Sequence, residues 1–285
     1  MKLSREERHE LFKSYPRDIF MTVAYNGKNY NGWQIQSEFP SVQQKLNEVL
    51  TYVFANQVVW VNGSSRTDAG VHALNLGASF KVPAKPAIPD VQLKRALNKL
   101  LPFDIRVTSL KTVTEDPIHA RFDAKGKVYS YVVNRGAISP FNYDFCWHLN
   151  HCNNVEGMKQ AAKFLVGTHD FSSFVVEMKK VEDATRTIYD ISIDEFGDDN
   201  QYLVITFVGN GFLYKMVRCL VGTLVGVGIN KIAPEEVEKI LLARERDQAL
   251  ATAPADGLFL MKVFYEQLDG DKCQFNLIKL PFNYF

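Results

Sequence analysis

No stretch of this sequence is apolar for long enough to cross a bilayer. The longest candidate, Cys219 to Ile229, has eleven residues and follows closely on Lys215 and Arg218, whereas a spanning helix needs about 20. It reads as a buried helix. Met1 to Asp18 mixes both charge signs and has no apolar segment leading to a small-residue cleavage site, so no secretory signal is expected and the cytoplasm is the expected compartment. Cysteine is scarce. The four, at 146, 152, 219 and 273, form no CxxC and no even framework, so reduced thiols are expected. Cys146, His148 and Cys152 can share one face of an extended strand, but their spacing fits no standard zinc pattern and brackets the bulky Trp147. They read as partly buried strand residues, with no metal. Walker A, GxSxG, HExxH and EF-hand patterns are missing too, and no GxGxxG follows a strand. The commonest nucleotide, hydrolase and metal chemistries lose their support.

What remains is an ordinary globular composition, 46% hydrophobic and 23% charged over 285 residues, sufficient for one large domain or two medium ones. The net charge of +1 hides an asymmetry: Met1 to Arg135 carries 19 Lys+Arg against 12 Asp+Glu, and the rest carries 14 against 20. A basic half points to an anionic partner such as nucleic acid, or reflects chance clustering on a solvated surface.

Arg17 to Asn26 is β-branched and aromatic and ends at Asn26-Gly27, a strand closed by a turn. Ser41-Val-Gln-Gln44 has the form of a capping box, and Val42, Leu46, Val49, Leu50 and Val53 follow at helical spacing, predicting a helix over 41–55. Strands are expected around 57–62 and 74–82, a helix capped by Asp90, and a strand over 105–110. The second half repeats the order: strands over 127–134, 186–196, 202–208 and 258–265, with helices over 155–166, 212–229 and 234–243. The fold class expected is α+β: two ferredoxin-like, split β-α-β halves with mainly antiparallel sheets flanked by helices and an active-site cleft between them. The domains fall at 1–120 and 121–268, with a seam between about Val113 and Lys127 and an apolar tail at 269–285 without an assigned role.

The most conspicuous polar loop is Gly63-Ser-Ser-Arg66-Thr67-Asp68-Ala69-Gly70-Val71-His72-Ala73. Taken alone, Asp68-Ala-Gly70 is a turn former and Arg66 a solvated charge. Yet Arg66-Thr-Asp-Ala-Gly-Val-His-Ala73 resembles the signature of the TruA family of pseudouridine synthases. The resemblance extends, in order, through Tyr25-Asn-Gly-Lys-Asn-Tyr30-Asn-Gly-Trp33-Gln34, Ser41 to Leu46, His119-Ala-Arg-Phe122, Lys127-Val-Tyr129-Ser-Tyr131 and His169-Asp-Phe171-Ser-Ser173-Phe174. It continues in Gly211 to Arg218 and Ala253-Pro-Ala-Asp-Gly-Leu258, so it covers about residues 17 to 265. Ser64-Ser65 stands where many members have Gly before the Arg, so the backbone there must avoid positive φ.

The resemblance implies a tRNA-modifying isomerase that needs no cofactor, acts on anticodon-arm uridines at positions 38 to 40 and works as a homodimer. It makes Asp68 the essential carboxylate, Arg66 the arginine of base flipping, Tyr129 the aromatic against the target base, Arg218 the partner of the carboxylate and Leu258 an apolar wall of the uracil pocket. An ionised Asp in a dry pocket can attack C1′ or take a sugar proton, and a nearby guanidinium offsets its desolvation. Lys94, Arg95, Lys99, Arg121, Lys125 and Lys127 are candidates for phosphate contacts. Two alternatives stand beside this: the same chemistry at another RNA position, and a non-catalytic RNA-binding protein, for which the Arg66 to Asp68 loop would be superfluous.

Overall fold

Buried Ile19, Met21 and Val23 alternate with less buried neighbours, a period of two that makes one face of strand β1 (Arg17–Tyr25) the floor of a core. The computed structural model describes residues 13–177 and 181–267, together with Ser4, Glu6 and Glu10. The tail at 269–285, including Cys273, lies outside the described residues. The chain forms two compact units, the first ending at Ala124 and the second beginning at Lys125.

In the first unit β1 leads to α1 (Val42–Val53), which buries Val42, Leu46 and Leu50. Its N-terminus is capped as expected, with the Ser41 hydroxyl accepting from Gln44 N at 3.3 Å. Then come β2 (Asn62–Gly63), β3 (His72–Val82), α2 (Asp90–Leu100) and β4 (Ile105–Val113). The sheet order is β4-β1-β3-β2, antiparallel throughout. The second unit holds β5 (Gly126–Asn134), β6 (Trp147–His148), α3 (Val155–Lys163), β7 (Gly167–Asp170), β8 (Thr185–Phe196), β9 (Tyr202–Gly209), α4 (Met216–Gly228), α5 (Glu236–Ala243) and β10 (Leu258–Phe264). Its antiparallel order is β10-β5-β9-β8-β7, with β6 parallel to β5. In each unit the first strand lies between the last and the penultimate long strands, the arrangement of a split β-α-β fold. The α+β class with mainly antiparallel sheets is therefore as expected. Among the described residues no helix is long and apolar enough to cross a membrane.

Several local expectations are corrected. The stretch 57–61 joins no ladder, because α1 side chains replace the strand partner: Thr51 Oγ1 accepts from Val59 N at 3.2 Å, Asn47 Oδ1 from Val61 N at 3.0 Å, and Gln43 Nε2 donates to Val61 O at 2.7 Å. Asp90 does not cap α2. Pro89 holds the cap position, and the Asp90 carboxylate is taken by Thr112 N and Thr112 Oγ1, each at 2.7 Å, and by Arg17. α4 begins at Met216 rather than 212 because Lys215 is left-handed at φ 58°, and α3 stops at Lys163 with Gly167 already opening β7.

Candidate active site

The loop between β2 and β3 is a hydrogen-bonded turn held from beneath. Val71 N donates to Asp68 O at 3.2 Å and Gly70 has φ +80°, the positive value that the third residue of a type II turn requires. Asp68 heads this turn half-buried, and Arg66 is exposed two residues upstream. Ser64 and Ser65 avoid positive φ, so the absence of Gly before Arg66 leaves the loop unstrained there.

The segment after β1 clamps the loop. Tyr25 Oη and Thr67 Oγ1 lie 2.8 Å apart in the interior. Trp33 N donates to Thr67 O at 3.3 Å, Gly70 N to Tyr30 O at 3.2 Å, and Gly27 N to His72 Nδ1 at 3.1 Å. That last bond fixes the His72 proton on Nε2. Gly32 makes the close approach possible: its φ is +79°, and a Cβ there would stand 2.2 Å from Thr67 O. Tyr30 Oη donates to Asp104 Oδ1 at 2.6 Å. Burial, reinforced by the bond to Asp104 and its charge, pushes the Tyr30 phenol far above its ordinary range, so it remains a donor. Gln43, almost fully buried, ties the same segment to α1 by accepting from Gln34 Nε2 at 2.9 Å and Ile35 N at 3.0 Å.

In the second unit, Tyr129 on β5 lies opposite Leu260 on β10 and Phe207 on β9, while Leu258 lies opposite Tyr131. Directly opposed residues share a face, so Tyr129, Tyr131, Leu258 and Leu260 stand side by side. Tyr129 meets Phe212 edge-on with centroids 5.4 Å apart. Tyr131 Oη donates to Pro254 O at 2.9 Å, and burial drives its phenol well above the ordinary value, the Arg218 charge opposing only in part. Arg218 Nε donates to Ala253 O at 2.8 Å and Ala253 N to Arg218 O at 3.1 Å, which pins the approach to Leu258 onto the first turn of α4. Arg218 is the one α4 residue that is not buried. A cation in a first turn opposes the helix dipole by about 0.3–1 kcal/mol, so this arginine is not placed for the helix's own stability.

The structure thus brings Arg66 and Asp68 together on one loop of the first unit, and Tyr129, Arg218 and Leu258 together in the second. The first unit's four candidate phosphate contacts are divided between two clefts. Lys94, Arg95 and Lys99 line a groove with Thr108 and Ser109, whereas Arg121 lines a separate cleft with Arg66. Cys146 Sγ lies 3.5 Å from His148 Nε2, and burial pushes the Cys146 thiol up to about 12 and the Cys152 thiol up to about 11, so both are protonated at neutral pH. Sequence reasoning left Tyr25, Gly27, Gly32 and His72 without roles. For Tyr25, Gly27 and Gly32 the signal was present in the Tyr25 to Trp33 block, whose two Asn-Gly pairs mark a folded-back segment, and His72 stood in the Arg66 to Ala73 block.

A family model described as tRNA pseudouridine synthase matches residues 161–266. The tRNA pseudouridine synthase A of a Thermoanaerobacter species is 44% identical over 250 residues, spanning 87% of this chain and 100% of its own length. Those of Lacticaseibacillus casei and Bacillus licheniformis are 41% and 40% identical over 246 and 247 residues, each spanning 86% of this chain and 98% of its own.

Proposed function

The chain belongs to the tRNA pseudouridine synthase A family of isomerases, and from that membership we propose that it converts uridine to pseudouridine in the anticodon stem-loop of tRNA, at positions 38 to 40. The observation that carries this is the clamped turn headed by Asp68. A loop held by Tyr25, Tyr30, Trp33 and Gly32 presents a carboxylate and, two residues away, an exposed guanidinium, which is more than a phosphate-binding surface requires.

In the reaction the C1′–N1 bond breaks, the base turns and a C1′–C5 bond forms; C5 gives up a proton, N1 regains one, and nothing is oxidised. Asp68 serves by attacking C1′ or by removing a sugar proton to leave a glycal-like species. Arg218 is, by the family resemblance, the partner assigned to the carboxylate. Tyr129 offers a ring to the base and Leu258 an apolar wall. Arg66 fills the space left by the extruded nucleotide, a role suited to a planar guanidinium that also binds phosphate. The protein works in this reading as a cytoplasmic homodimer.

Carbodiimide-stop mapping of unmodified tRNA incubated with the purified protein tests the assignment. Stops at 38, 39 or 40 are expected. Stops elsewhere would move the same chemistry to another uridine, and no stops in any RNA would leave a binding protein.

A further inference from the structure

Arg66 apart, the residues lining the cleft beside it have no role in the chemistry just described. The cleft holds ≈ 1170 Å³ within the first unit, above the roughly 300–1,000 Å³ of typical small-molecule sites. Its wall combines Arg66 and Arg121 with the rings of Trp60, His119 and Phe122 and the amide of Asn62. Asp68 does not line it.

Two features there are unexplained by folding. Phe122 is 73% exposed, although His119 packs on it with centroids 4.4 Å apart and the Arg121 guanidinium stands 5.8 Å from its centroid. Neither Arg66 nor Arg121 has a carboxylate within ion-pair distance among the described residues. Of the acidic groups lining the cleft, Asp18 pairs with Lys81 at 3.1 Å and Glu10 with Lys13 at 3.1 Å, and Glu6 is the third. Burial, with the Arg66 charge adding to it, lowers the proton affinity of Arg121. Two guanidiniums that repel each other beside an open aromatic face lack an anion and a flat ring.

We propose that this cleft binds a second nucleotide of the RNA, adjacent to the target uridine, with its base against Phe122 and a phosphate between Arg66 and Arg121. This rests on the uridine-isomerising function proposed above and adds a subsite to it. The Cα atoms of Arg66 and Asp68 are at most about 7 Å apart, which favours a nucleotide close along the strand to the target uridine as the occupant of the space beside Arg66. Aromatic stacking suits any base, while Asn62 offers an edge to hydrogen-bond. The subsite therefore holds the strand by stacking and charge and leaves the choice of uridine to the pocket of Asp68.

The test is a double-substitution cycle with anticodon stem-loop RNA. Affinities are measured for intact RNA and for RNAs abasic immediately 5′ or 3′ of the target uridine, with the wild-type protein and with Phe122→Ala. Phe122 is largely exposed, and an unchanged melting temperature verifies the variant's fold. One of the two abasic sites should weaken wild-type binding about tenfold, while Phe122→Ala binds that RNA and the intact one within about twofold of each other. If the wild-type protein tolerates both abasic sites, or the variant discriminates as strongly as the wild type, the subsite does not exist. Tritium release from 5-tritiated uridine in intact RNA is run alongside. A protein that isomerises without this coupling loses only the subsite, and one that isomerises nothing loses the function on which it rests.

Discussion

The phenol of Tyr25 and the hydroxyl of Thr67 meet at 2.8 Å in the interior, so the last residue of β1 holds the residue between Arg66 and Asp68. Removing one partner leaves the other buried and unmatched, which costs about 1–3 kcal/mol, and a misplacement of about 1 Å at a reacting group can lower turnover about 100-fold. Tyr25→Phe is expected to lower the urea midpoint modestly and to reduce kcat far more than it raises KM. An unchanged kcat would mean that the loop keeps its place without this bond.

Gly32→Ala is expected to be worse for the fold. A left-handed φ costs a residue with a Cβ roughly 1–2 kcal/mol. The added carbon would also stand 2.2 Å from Thr67 O, and overpacking adds about 1–3 kcal/mol. Denaturant unfolding should show the sum, with activity lost in parallel. A variant as stable as the wild type would show that the Tyr30 to Trp33 segment can retreat from the loop.

Long periodic elements were legible because their signal is local: β1, α1, β3, β5, β8 and β9 are each written in their own alternation or helical spacing. What escaped depends on distant partners. Nothing within 57–61 reveals that Asn47, Thr51 and Gln43 satisfy its backbone, and Asp90 resembles a cap until Thr112 and Arg17 claim its carboxylate. β6 has two residues and β7 four, too few for a period to show. At the site, the ordered blocks marked Arg66, Asp68, Tyr129, Arg218 and Leu258, but composition and spacing alone marked none of them. Half of the bonds in the clamp on Asp68 run between backbone groups, and which residues they join depends on the fold rather than on side-chain type.

His119 gives the protein a pH dependence in mild acid. Its Nδ1 accepts from Arg121 N and Phe122 N, each at 3.2 Å, and a proton there would face two donors. Burial, with Arg121 adding and Asp123 opposing, holds its pKa below the ordinary 6.5. A depressed folded value means that the unfolded chain binds the proton more readily, so this stability is complete above about pH 6.5 and is lost as pH falls through the folded value. Melting scans from about pH 7.5 to about pH 5 should show a fall that His119→Asn, which keeps an acceptor but cannot titrate, makes shallower. Equal slopes would remove His119 as the source.

Arg95 and Lys99 are exposed on α2, whereas Lys94 Nζ is already bonded to Thr108 O at 2.6 Å. Replacing Arg95 and Lys99 with Ala should weaken tRNA binding and flatten its log–log salt dependence by about 0.7–0.9 per lost contact. Arg66→Ala should instead lower single-turnover rates more than affinity, because it acts after the base has left its stack. If both variants changed only affinity, Arg66 would be an ordinary phosphate contact.

The central claim is that Asp68 does the chemistry, and tritium release from 5-tritiated uridine in tRNA measures it most directly when wild type and Asp68→Asn are compared at saturating protein. The amide keeps the shape of the side chain and therefore the turn, but it can act neither as an anionic nucleophile nor as a base. The variant should fold, bind tRNA and release tritium at least about 100-fold more slowly than wild type. Release within about tenfold of wild type would contradict the assignment and remove Asp68 from the reaction.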